Sequence, residues 1–376
     1  METLETPIRI VTHPRGAAGN AHPPALELLL RAVRPASDAG NEAAIDALLA
    51  SGRVDWDRLV ALARGHGMIP LLYRALRDRT GPAAPADTLA AIQQDFHRMS
   101  MLIHVQIIAL RRVLGHLDAR GIPAIVLKGL PLGRLAYGNP IWRKPGDIDL
   151  LIHPEHYQEV RLALAEMDYQ PDLTGDAAAR ELDWKKQMTF RGAPCDVDVH
   201  LGLEQASFLR IAYAAGADDD AIRARCRTVT IGGLDVRTLG PEDLVAFLCI
   251  HSAKHAWSHL FMIADLAAFV ANNAIDWPVV AERTAALKAD RYVAISLLLA
   301  HRLCGTELPA HWADADRTLG ALADRIERRL FADTGPTRPI AFHLLQARIL
   351  AGALEKGRYF VNVCLEHVRR KRRAHA

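Results

Sequence analysis

The chain has 376 residues, half of them hydrophobic and about a quarter charged, with a formal net charge of +3. That is an ordinary globular composition, long enough for two or three domains with a sizeable core, and its overall charge argues neither for nor against nucleic acid. The five cysteines (Cys195, Cys226, Cys249, Cys304 and Cys364) are odd in number and widely spaced, which sets aside a disulfide framework or a Cys-rich zinc site and favours a reducing, cytoplasmic setting.

Residues 1–23 read as a flexible arm; Met1 to Pro24 has early acids, several prolines and no apolar signal core. No later stretch reaches the roughly 18 to 20 apolar residues a membrane span needs, so no membrane partner is expected. The enrichment in Ala and Arg points to a GC-rich bacterial genome. From 24 to 117 the periodicity is helical. Asp55-Trp56-Asp57 opens a helix with acids in its first turn, and Pro70 restarts one at a first helical position. Gly81-Pro82-Ala83-Ala84-Pro85 breaks the region, and Asp87 to about Leu117 reads as one long helix.

The texture changes at Gly121-Ile122-Pro123. Ala124 to Leu127 is a short branched apolar run bounded by breakers, hence a strand. Lys128-Gly129 leads into a short helix ending at Tyr137, followed by a turn at Gly138-Asn139-Pro140. Asp147 to Ile152 is a second strand, followed by a helix from about Pro154 to Met167. Met188 to Phe190 and Cys195 to Leu201 form an antiparallel pair through Arg191-Gly192-Ala193-Pro194. The expected α/β core is therefore 118–205. The rest, 206–376, is expected to be mainly helical, with a small hairpin of Arg227 to Ile231 and Leu234 to Val236 around Gly232-Gly233. The chain ends in the basic run Arg369-Arg370-Lys371-Arg372-Arg373; its plain reading is a solvated basic helix end, and its functional reading is contact with RNA, DNA or an acidic partner.

The chemistry concentrates on two strands. In Asp147-Ile148-Asp149-Leu150-Leu151-Ile152, alternation puts both carboxylates on one face. Two acids that close repel unless a cation lies between them, and aligned carboxylates suit Mg²⁺. In Cys195-Asp196-Val197-Asp198-Val199-His200-Leu201 the same alternation groups Asp196, Asp198 and His200. The first pair plus one acid of the second strand make three carboxylates, the set a two-metal phosphoryl or nucleotidyl transfer site requires. A lone D-x-D is as readily a solvated sheet face; two clusters about 50 residues apart strengthen the functional reading. Lys128-Gly129, at a strand end that opens a helix, offers close backbone approach and a point charge to a triphosphate.

Taken together, Leu127-Lys128-Gly129, Tyr137-Gly138, Arg143, the Asp147 to Ile152 run and Val197-Asp198-Val199-His200 resemble the nucleotidyltransferase superfamily that includes DNA polymerase β. More narrowly, they are similar to a bacterial branch of largely uncharacterised nucleotidyltransferases with Lys-Gly in place of the usual Gly-Gly or Gly-Ser. The downstream run Leu248-Cys249-Ile250-His251-Ser252-Ala253-Lys254-His255-Ala256-Trp257, then Leu260 and Asp265-Leu266, and the upstream His66-Gly67-Met68-Ile69-Pro70 extend the likeness over about 55–275. The resemblance implies an α+β fold: a small polymerase β-like nucleotidyltransferase core with a mixed sheet, flanked by N-terminal and C-terminal helical segments. It implies Asp147 and Asp149 as the metal pair and Asp198 as the third carboxylate, with Asp196 its competitor. It implies two Mg²⁺ ions (Mn²⁺ serving in their place) and an NTP substrate. Lys-Gly in place of the usual pair leaves the manner of holding the triphosphate open.

In the helix from Pro241, His251, Lys254, His255 and Ser258 fall at i, i+3, i+4 and i+7 and form a polar stripe. The functional reading is that Lys254 and a histidine neutralise the triphosphate; the structural reading is a hydrogen-bonded cluster pairing with Asp265. His251 and His255 also have zinc-ligand spacing, but without the Glu of H-E-x-x-H. Arg143 is a candidate phosphate ligand or a loop charge, Tyr137 a base-stacking or packed aromatic, and Trp184-Lys185-Lys186 a solvated edge. The expected nucleotide-binding set is Lys128, Gly129, Arg143, His251, Lys254 and His255. The expected acceptor is a small molecule or modified peptide, with RNA as the alternative through the basic tail; a catalytically inactive NTP-binding protein is the remaining reading.

Overall fold

A computed structural model describes residues 22–34, 40–79, 84–175, 178, 182, 187–203, 219–332, 339–350, 352, 356–357 and 359–361. Most of the N-terminal arm, Trp184-Lys185-Lys186 and the basic run 369–373 lie outside them.

Among the described residues five helices come first: α1 (Pro24–Ala32), α2 (Asn41–Ala50), α3 (Trp56–Gly65), α4 (Ile69–Leu76) and α5 (Ala86–Asp118). Asp55 caps α3 by accepting the Arg58 N–H at 2.9 Å. Pro70 is the second residue of α4, one place later than the sequence indicates, where its missing N–H still costs no helical bond. The 33 residues of α5 make a rod about 50 Å long.

Next come β1 (Ile125–Val126), α6 (Leu130–Tyr137), β2 (Ile148–Leu151), α7 (Tyr157–Ala165), β3 (Gln170–Pro171), β4 (Gln187–Arg191), β5 (Val197–His200), α8 (Asp219–Ala224), β6 (Arg227–Ile231) and β7 (Leu234–Thr238). The strands form one mixed seven-stranded sheet in the order β3-β4-β5-β2-β1-β7-β6. β2 runs parallel to β5, and β1 parallel to β7. The hairpin β6–β7 thus extends the sheet past residue 205, where the α/β core was expected to end. Its turn at Gly232-Gly233 has both glycines at positive φ, the conformation a tight hairpin demands.

Further helices among the described residues are α9 (Pro241–Lys254), α10 (Leu260–Asn272), α11 (Trp277–Ala286), α12 (Asp290–Cys304), α13 (Ala315–Leu330) and α14 (Pro339–Ile349). The molecule is thus α+β, a mixed-sheet core between N-terminal and C-terminal helical segments, as expected. Among the described residues no helix is long and apolar enough to cross a membrane.

Strand alternation splits the core into two layers. Val126, Ile148, Leu150, Val197, Val199 and Phe190 point one way, into a cluster with Leu110, Val113 and Leu117 of α5 and Val160 and Leu164 of α7. Ile125, Leu127 and Leu151 point the other way, into the larger cluster built on α9, α10 and α12. The aspartates share this second face and emerge where the apolar filling stops.

The helix α9 ends at Lys254, so Ser258 does not continue its polar stripe. Ala256 and Trp257 adopt left-handed φ values of 52° and 51°. Such strain persists where packing over-determines it: Trp257 is fully buried and its indole N–H donates to Ser296 Oγ at 2.9 Å.

Candidate active site

The register of β2 and β5 sets Asp149 beside Asp198. Register partners share a sheet face, so both carboxylates open to the same side. Antiparallel β4 then places Thr189 across from Asp198 and Gln187 across from His200. Thr189 Oγ1 donates to Asp198 Oδ1 at 2.6 Å, and Gln187 Nε2 to Oδ2 at 3.0 Å. Each oxygen of Asp198 keeps a further lone pair. Asp196, on the same strand face, is instead ion-paired with Arg191 and does not line the cleft.

Asp149 is 2% exposed. Its Oδ1 lies 3.2 Å from His200 Nε2, and its Oδ2 2.8 Å from the Lys128 ammonium. Burial pushes this carboxyl toward protonation, but the Lys128 charge and the His200 hydrogen bond outweigh it and hold the group well below the usual range. Asp149, Asp198 and His200 bring one ligand atom each within 4.8 Å of one another.

Asp147 precedes β2 and opens onto the same cleft, outside that trio. Partial burial and then the charge of Asp198 raise its pKa. Gln106, buried on α5, fixes the loop before it by donating to the carbonyl of Gly146 at 2.7 Å. Gly129 caps α6 at φ 73° and ψ −122°, a region closed to other residues, with its α-carbon beside the Asp147 carbonyl.

Arg143 Nε pairs with Asp265 Oδ2 at 2.8 Å, and Tyr137 donates its hydroxyl to Oδ1 at 2.8 Å. Asp265 is therefore committed to Arg143 and Tyr137. Tyr137 does not line the cleft; Arg74 stacks over its ring at 5.8 Å.

The opposite wall comes from α9 and α10: Leu248, His251, Ser252, Lys254, His255, Phe261 and Met262. The rings of His251 and His255 lie 4.7 Å apart. Burial, then the charge of Lys128, lowers His251, while burial and Lys254 lower His255 to about 4. Both are neutral near pH 7, so the formal charge on this wall belongs to Lys254, and the histidines offer hydrogen bonds. Neither belongs to the metal-ligating trio.

All nine expected site residues (Asp147, Asp149, Asp198, Lys128, Gly129, Arg143, His251, Lys254 and His255) line this one cleft of about 280 Å³. Lys144, Gln187 and Phe261 also line the cleft, and Thr189 supports Asp198 from the neighbouring strand. Gln187 and Thr189 follow from strand alternation once the β4–β5 register is known. No sequence pattern marks Lys144 or Phe261.

A family model described as uncharacterised nucleotidyltransferase matches residues 52–305. The chain belongs to this family. The match takes in α3 through α12, hence the whole sheet and both walls of the cleft, and it makes the protein a transferase. Two solved structures of the antibiotic-resistance factor ANT(2'')-Ia are also similar. One, a solution structure, is 16% identical and covers 59% of this chain and 97% of its own, with a TM-score of 0.30. The other, a crystal structure in complex with adenylyl-2''-tobramycin, is 16% identical over 49% of this chain and 97% of its own, with a TM-score of 0.32. Likeness that loose assigns no substrate to this nucleotidyltransferase. No curated protein matches it.

The donor set fits a divalent cation. Two carboxylates converge with an imidazole, Asp149 is held ionised, and hard oxygen ligands suit Mg²⁺ or Mn²⁺.

Proposed function

We propose that this nucleotidyltransferase moves a nucleoside monophosphate from an NTP to an acceptor hydroxyl or phosphate and releases pyrophosphate, with two Mg²⁺ ions, or Mn²⁺, as cofactor. The observation that carries the reading is the juxtaposition of Asp149 and Asp198 on the cleft floor, facing the Lys254 wall. Asp147, Asp149 and Asp198 are the residues that would hold the metal. When bound, the metal supplies neutralisation of phosphate charge and a lowered pKa for the acceptor hydroxyl.

The chain's own groups do the rest. Lys128, Arg143 and Lys254 face the triphosphate, and Gly129 opens the N-terminus of α6 to it. His251 and His255 donate or accept hydrogen bonds on the same side. Asp198, held by Thr189 and Gln187, takes the acceptor proton. The acceptor oxygen forms a bond to the α-phosphorus, the bond from that phosphorus to the bridging oxygen breaks, and pyrophosphate departs with the electron pair. The acceptor is a small molecule or a modified peptide, in a cytoplasm that supplies the NTP.

The test is an NTP panel with Mg²⁺, read by thermal shift and by pyrophosphate release, on wild type and Asp149→Asn. One or more NTPs should stabilise the wild type, and the Asn variant should lose at least about 100-fold in turnover. Absence of any nucleotide stabilisation, or equal activity in the variant, refutes the assignment. Stabilisation without turnover on small molecules, peptides or RNA ends points to an inactive NTP-binding protein, and turnover confined to RNA ends to the RNA-directed reading.

A further inference from the structure

Lys144 lies in the loop entering β2 and lines the cleft beside Arg143. Its ammonium sits 4.7 Å from the centroid of the Phe261 ring, and Arg143 Cζ lies 5.9 Å from the same ring. Arg143 and Lys128 are each paired with an aspartate. Lys144 makes no ion pair or hydrogen bond with any described residue. Cation–π attraction contributes, but it does not neutralise a partly buried charge.

The stem of Lys144 runs against Gly67. Gly67, between α3 and α4, has φ +69°, and a Cβ there would stand 2.6 Å from Lys144 Cδ. The carbonyl of the preceding His66 accepts the N–H of Phe261 at 3.3 Å. One short turn of the N-terminal segment thus sets both the lysine stem and the ring beneath its ammonium.

Two cations over one ring, one of them without a carboxylate, match a group with more than one negative charge. We infer that Lys144 grips the pyrophosphate part of the bound nucleotide and steadies it as it leaves, with Gly67 and Phe261 as positioning residues. The inference rests on the nucleotidyl-transfer reading of the same cleft.

The experiment uses inorganic pyrophosphate, ATP and AMP as probes with Mg²⁺, by calorimetric titration of wild type, Lys144→Gln, Lys144→Arg and Gly67→Ala. The Gln variant should bind pyrophosphate and ATP about tenfold more weakly and AMP unchanged, as loss of one charge-assisted contact predicts. The Arg variant should recover most of the affinity. The Ala variant should weaken pyrophosphate although Lys144 is still present. Pyrophosphate binding equal to wild type in Lys144→Gln overturns the inference, and so does an equal loss for AMP. A wild type that binds neither pyrophosphate nor any NTP instead defeats the nucleotidyl-transfer reading itself.

Discussion

The Lys128 ammonium and the Asp149 carboxylate meet at 2.8 Å at the cleft floor, with the aspartate almost wholly out of solvent. Removing the lysine strands a buried charge, so Lys128→Met should cost about 3 kcal/mol in urea unfolding. A divalent cation bound there would supply the missing charge. Mn²⁺ without nucleotide should therefore stabilise the Met variant more than the wild type, in which the ammonium already occupies Asp149. Equal stabilisation of the two proteins would show that lysine and metal do not compete.

Thr189→Val tests the support of Asp198. The hydroxyl donates to Oδ1 at 2.6 Å, and valine keeps the shape while removing the bond. Loss of such an orienting contact lowers activity by about 10-fold to 100-fold. The expected result is that drop in kcat with a melting temperature close to wild type; unchanged kcat would mean that Gln187 alone holds the carboxylate.

Gln106→Leu probes the loop ahead of β2. The amide reaches the carbonyls of Gly146 at 2.7 Å and Asp147 at 3.3 Å from the buried side of α5. Leucine leaves those acceptors facing an apolar chain, at about 1–3 kcal/mol. Stability should fall by that amount, and metal affinity should fall with it because Asp147 loses its anchor. A stability loss with intact metal affinity would separate Asp147 from the metal.

Acid sensitivity should trace in part to His66. Burial, followed by the charges of His259 and Arg58, lowers its pKa from 6.5 to about 4. Between those values the unfolded chain binds the proton and the folded chain does not, so stability is full above about pH 6.5 and declines as pH falls toward about 4. Urea midpoints measured from about pH 7 to pH 5 should drop, and His66→Gln should flatten that slope. Some slope should remain, because His255 is lowered to about 4 as well. An identical slope in the variant would assign the effect elsewhere.

Much of the cleft floor is legible in the sequence. Alternation alone put Asp147 with Asp149 and Asp198 with His200, and breakers marked the turn at Gly129. What alternation leaves open is which acid of one strand stands beside which acid of the other. A shift of two residues would preserve both faces and bring Asp196 to Asp149; the parallel register, set by packing of Val197 and Val199 beneath, selects Asp198. The helical spacing carries the polar stripe on to Ser258, because nothing in the pattern shows that Trp257 must turn inward to reach Ser296. Nothing in the sequence marks Lys144, because its neighbours Gly67 and Phe261 lie far away along the chain.

The continuous apolar cluster that joins Ile125, Leu127 and Leu151 of the sheet to Phe247 and Leu248 of α9, and to Leu59 and Leu71 of the N-terminal helices, has a mechanical corollary. A jaw-like parting of the two walls would tear that cluster and expose it to water, at a cost that grows with the apolar area uncovered.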